Sequence, residues 1–94
     1  MDLLQWFQNW YKGNCDGDWE HQYEIKIFSL DNPGWGVEIS IADTELEEKV
    51  FEKIGYDNGD DWLFCKVENN VFSGVGDENK LVTILQIFKD FAER

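Results

Sequence analysis

Between residues 23 and 75 apolar and polar side chains alternate, and at both ends of the chain the period changes to that of a helix. Two such periods within 94 residues leave few folds open. Tyr23, Ile25 and Ile27 alternate with Glu24 and Lys26, and Trp35, Val37, Ile39 and Ile41 alternate with Gly36, Glu38, Ser40 and Ala42. Each run sorts its apolar set onto one face of a strand. Asn32-Pro33-Gly34 between them fits a type II turn, with Pro at i+1 and Gly at i+2, so the two runs read as an antiparallel hairpin. A third run covers residues 62–68, with Leu63, Cys65 and Val67 on one face and Trp62, Phe64 and Lys66 on the other. Asn69-Asn70 turns it into a short last strand over 71–75. A further short strand is predicted over 50–54, between an acidic loop at 43–49 and a turn at Asp57-Asn58-Gly59-Asp60-Asp61.

Leu3, Trp6, Phe7 and Trp10, with Leu4 and Tyr11 beside them, have helical spacing, and Gly13-Asn14 should stop that helix. Leu81, Ile84, Leu85, Phe88, Phe91 and Ala92 form the apolar stripe of a second helix, with Asp77 as its expected N-cap and Glu78 in its first turn. The expected fold is α+β. An antiparallel sheet of four to five strands is flanked by an N-terminal and a C-terminal helix packed on one face, the other face partly open. Residues 1–94 make one domain.

Twenty carboxylates against eight lysines and arginines give a net charge of −12. Residues 35–61 carry nine acids and two lysines, and residues 14–34 carry five acids and one lysine, so the middle of the chain holds nearly all of it. Such a field repels nucleic acid and anionic membrane, steers basic partners inward, and also serves plain solubility. Five Trp in so short a chain exceed what a small core takes in, and an exposed Trp is a common binding anchor. Two cysteines, Cys15 and Cys65, make no disulfide framework. No basic segment precedes an apolar run at the start, and no stretch nears the roughly 20 apolar residues of a membrane span. A reduced, cytoplasmic protein is expected.

Cys15-Asp16-Gly17-Asp18-Trp19-Glu20-His21 holds a thiol, three carboxylates, an aromatic and the single histidine. It does not continue as a calcium loop, because His21 stands where Gly is needed and Ile27 where the late Glu is needed. Cys15, His21 and one Asp could supply three zinc ligands, with Cys65 a fourth if the fold brings it near. Cys15 and His21 could also meet as nucleophile and base, but no oxyanion or phosphate-cradling motif accompanies them. The plainer reading has Asp16 and Asp18 bonding backbone amides around Gly17, Trp19 plugging the sheet edge and His21 opening the strand. A third makes the loop a partner-binding surface. Elsewhere, Trp35 shares the inward register of Val37 and Ile39. Trp62 and Phe64 share the outward face beside Asp60 and Asp61, a candidate hot spot.

Several segments together carry a family resemblance. They are Gln5-Trp6-Phe7, the 15–21 segment, Leu30-Asp31-Asn32-Pro33-Gly34-Trp35, Thr44-Glu45-Leu46, Asp61-Trp62 with Cys65-Lys66-Val67-Glu68, and Leu85-Gln86-Ile87-Phe88. In that order, over nearly the whole chain, they resemble the immunity protein 53 family of bacterial polymorphic toxin systems. The resemblance implies a small cytosolic protein, encoded beside a toxin gene, that binds and neutralises the toxin's C-terminal domain without catalysis or a cofactor. Many such effectors are nucleases, and a nuclease is basic where it grips phosphate. On this reading Asp16, Asp18, Glu20, Asp57, Asp60 and Asp61 meet basic toxin residues and Trp19 and Trp62 anchor the contact, with His21 and Phe64 in the same surface. The protein is expected as a monomer or a weak homodimer through Trp62 and Phe64. Two alternatives remain: a metal- or thiol-dependent enzyme centred on residues 15–21, and an acidic nucleic-acid mimic.

Overall fold

The computed structural model describes residues 2–94 and is α+β, with two long helices and one open five-stranded antiparallel sheet. The elements in chain order are α1 (Leu3–Asn14), a helical turn α2 (Trp19–Gln22), β1 (Ile25–Leu30), β2 (Gly34–Ser40), β3 (Ile54–Asp57), β4 (Trp62–Glu68), β5 (Val71–Gly76) and α3 (Leu81–Glu93). The strand order is β1-β2-β5-β4-β3. Residues 41–53 therefore carry the chain from β2 to the far edge, and β3, β4 and β5 meander back to close on β2.

The alternation read from sequence decides which side chains meet. Ile39 stands opposite Phe72, and Val37 opposite Gly74, across β2 and β5. Cys65 and Val67 occupy the same face from β4. On this face α3 rests on β2 and β5 and α1 packs against α3. The core joins Val37, Ile39, Ile41, Leu63, Cys65 and Phe72 of the sheet side to Ile84, Leu85, Phe88 and Phe91 of α3 and Phe7 of α1. Phe88 is its hub, in ring contact with Trp6, Phe7, Trp10, Phe72 and Phe91. The helix layer is narrower than the sheet, so both edge strands overhang it, leaving Ile27, Ile54 and Tyr56 exposed.

Several local expectations need correction. The strand expected at 50–54 is Ile54–Asp57 instead. Phe51 is withdrawn to pack edge-on against Phe72 and Phe91, closing the core where the crossing passes, while Val50 lies exposed. Gly34 is the first residue of β2, not the left-handed corner of a type II turn, since its φ is not positive. Glycine is needed there because a β-carbon would collide with the Gly76 carbonyl oxygen. α1 runs through Asn14 and ends at an extended Cys15, whose amide donates to the Lys12 and Tyr11 carbonyls. Tyr23 ends α2, and β1 begins two residues later. Trp35 lies half-buried at the sheet's end, its indole N–H donating to the Glu78 carbonyl at 3.1 Å. Asp77 does not cap α3, which starts at Leu81 after Lys80.

Candidate functional site

The first loop is built from its own backbone. Asp16 Oδ1 accepts from the amides of Asp18 and Trp19, both at 2.9 Å. The Glu20 carboxylate reaches back to the amides of Asp16 and Gly17 at 3.0 to 3.1 Å. Gly17, at φ 98°, makes the reversal possible. These bonds favour the charged carboxyls. Asp16 is held below its ordinary pKa chiefly by the Trp19 and Asp18 amides, and Glu20 by its own amide and those of Gly17 and Asp16. Their effect is to aim Trp19 inward. Trp19 is 3% exposed, packs against Trp10, Tyr11 and Tyr23, and donates its indole N–H to the Ala42 carbonyl.

So buried, Trp19 has no face to offer a partner, and its expected anchoring role is withdrawn. Asp18 has no capping bond, and His21 is exposed in α2 rather than opening a strand. The Cys15 thiol points at the Tyr11 carbonyl, 3.2 Å away. Among the described residues no three His, Cys, Asp or Glu side chains are gathered to hold a metal ion. Cys65 is 1% exposed, and burial pushes its thiol up to about 11, leaving it protonated at neutral pH.

The second group of candidates does converge. Asp57 ends β3, Trp62 begins β4, and the turn between them is tied by the Asn58 amide to the Asp61 carbonyl and the Gly59 amide to Asp57 Oδ1, both at 2.9 Å. Gly59 takes φ 89° there. Asp57, Asp60 and Asp61 are exposed around this turn. Trp62 is half-buried and Phe64 is 45% exposed, with their ring centroids 6.4 Å apart on the face away from the helices. Both rings lie outward and Leu63 and Cys65 inward, as the alternation implies.

A residue that sequence reading misassigned holds this turn in place. Asp77 is 1% exposed and accepts from the Trp62 amide at 2.9 Å, the Asn79 amide at 2.8 Å and the Lys80 ammonium at 2.7 Å. Lys80 also pairs with Asp61 at 2.7 Å, so one lysine links the buried carboxylate to the acidic turn. The Lys80 bond is the chief reason the Asp77 carboxyl is drawn down to about 2, and bonding to Asp61 and Asp77 raises Lys80. The signal available in sequence was three residues of spacing between an Asp and a Lys, which an N-cap also explains.

Strand register separates the two groups. The 15–21 loop lies by Ala42, at the end of the sheet where Ser40 faces Val71. The Asp57–Trp62 turn lies at the opposite end, where Leu63 and Trp35 face Gly76. The six acids expected to act together therefore do not share one patch. Immunity protein 53 is the family whose sequence model matches, over residues 4–93. The chain belongs to that family. No curated protein and no solved structure matches it. In this member half-buried Trp62 and exposed Phe64 lie side by side on the open face beside the acidic turn.

Proposed function

We propose that this member of the immunity protein 53 family neutralises a cognate toxin effector domain by stoichiometric binding, with the β3–β4 hairpin as contact surface. The observation that carries the reading is the contact of half-buried Trp62 with exposed Phe64 on the open face, flanked by exposed Asp57, Asp60 and Asp61. Aromatic anchors supply contact area, and flanking carboxylates supply steering and register toward a basic surface. A nuclease effector is the preferred target, because its phosphate-gripping face must be basic. Asp16 and Glu20 are engaged by the amides of their own loop, and with Asp18 and His21 they lie at the other end of the sheet, outside this contact.

The test is titration calorimetry, near physiological salt, against the toxin domain encoded beside this chain's gene. One-to-one binding that also restores growth on co-expression supports the reading, and absence of binding removes it. Trp62→Ala should weaken binding by about 2 kcal/mol or more, a loss of roughly thirtyfold. A folded Trp62→Ala protein with undiminished affinity would move the contact elsewhere.

A further inference from the structure

The open sheet face carries a feature that an acidic surface does not explain. A cleft of about 460 Å³ lies over β3, β4 and β5, lined by Lys53, Gly55, Phe64, Lys66, Ser73 and Val75. Its floor is short because Ser73 and Val75 face Lys66 and Phe64 from β5. Residue 55 has no side chain, which leaves room for an aromatic ring to lean toward the sheet edge. The Phe64 ring lies over Gly55, where a β-carbon would come within 2.8 Å of it. Two lysines stand at one end. Lys53 directly precedes Ile54, the first residue of β3, which pairs with Cys65, and it lines the cleft together with Lys66, the residue after Cys65.

Like charges gathered at one end of a cleft repel each other. The chain has 20 carboxylates with which to relieve them, yet the single ion pair recorded there among the described residues is Lys66 with Glu68 at 3.5 Å, both more than half exposed. The other end of the same hairpin is the Asp57–Asp61 turn. From Asp61 along β4 to Lys66, the surface thus runs from acidic, through Trp62 and Phe64, to basic, over about 17 Å.

We propose that the Lys53–Lys66 cleft seats an acidic residue of the toxin, an Asp or Glu on an otherwise apolar segment, while the Asp57–Asp61 turn takes basic toxin residues. This rests on the immunity reading and gives the partner one orientation on the hairpin. A toxin fits better than a second copy of this chain. Five strands and six residues give a face of roughly 20 by 20 Å, about half of the ~800 Å² per partner of a stable complex. Any occupant must therefore also meet the rim. The rim is acidic at both ends of the sheet, and two copies at −12 would repel there.

The experiment measures affinity and stability together, using the toxin domain encoded beside the gene. Lys53→Glu should leave the melting temperature unchanged or raised, since it replaces a like-charge pair with an opposite one. The same variant, and more so Lys53→Glu/Lys66→Glu, should lose roughly tenfold or more in affinity, mostly through faster dissociation. Lys53→Arg/Lys66→Arg should keep affinity within about threefold. Wild-type affinity in the double reversal overturns the cleft assignment and leaves the immunity reading standing. Failure of the unaltered protein to bind overturns both. Sedimentation of the protein alone adds an outcome: a dimer abolished by the double reversal would give the cleft to a second copy and overturn the proposal.

Discussion

At the residue scale, two side chains of opposite character hold the molecule's two ends. Trp19 is an aromatic that the fold consumes, held inward by amide bonds to Asp16 and by its own bond to Ala42. Trp19→Ala should cost about 3–5 kcal/mol in urea unfolding, as large aromatic truncations in cores do, and any loss of binding should follow that instability. Asp77 is the opposite case, a buried carboxylate fully engaged with Trp62, Asn79 and Lys80. Its carboxyl sits at about 2 in the folded chain against 3.8 in the ordinary state. A depressed carboxyl contributes stability that is full above the ordinary value and is lost as pH falls toward the folded one. Thermal melts should therefore fall off between about pH 4 and pH 2, and Asp77→Asn should flatten that limb. An unchanged pH profile in the variant would remove Asp77 as the cause. Sequence alone misplaced Asp77 and left Trp19 open between plug and anchor for one reason: local spacing cannot distinguish a carboxylate that caps a helix from one that is buried, nor an exposed Trp from a plugged one.

At the scale of elements, what was legible followed from period and turn chemistry. The outward and inward faces of β4, the Asn69-Asn70 corner with both residues at positive φ, and the apolar stripe of α3 were all readable. β3 was not, because a Val-Phe pair reads as strand wherever it lies, and the core's need for a plug at Phe72 and Phe91 appears only once the sheet is assembled. The convergence of Asp57, Asp60 and Asp61 on Trp62 and Phe64 was legible, since one tight turn joins them. Their separation from residues 16–21 was not, because it depends on strand order. The seating of α3 is likewise a property of two elements. A β-carbon at Gly74 would lie 2.5 Å from Ile84 Cγ2 and 3.2 Å from the Cys65 sulfur, so glycine sets how closely α3 approaches β5. Gly74→Ala should destabilise the protein by about 1–3 kcal/mol in chemical denaturation, and Ile84→Leu in the same chain, which lacks the Cγ2 methyl that the new β-carbon meets, should recover part of it. Additive losses in the pair would place the strain elsewhere.

At the scale of the whole molecule, charge and shape pose separate questions. The chain is elongated, 43 × 25 × 24 Å, with acids at both ends of its sheet, and its −12 acts at a distance on any basic partner. At about 0.15 M salt, the pull between exposed charges falls off over about 8 Å, less than the length of the sheet. Acids near the contact should therefore steer, while those at the far end should count little. Two equal charge removals separate these terms. Asp57→Asn/Asp60→Asn acts at the hairpin, and Glu45→Gln/Glu48→Gln acts on the linker beyond β2, where Glu45 lies beside Asn14 of α1. Stopped-flow association with the toxin domain should slow several-fold for the hairpin pair, on the order seen when charges near an interface are removed, and its dependence on salt should become shallower. The linker pair should stay near the unaltered rate. Equal slowing by both would mean that net charge alone drives encounter, and the hairpin would lose its claim to be where the partner first docks.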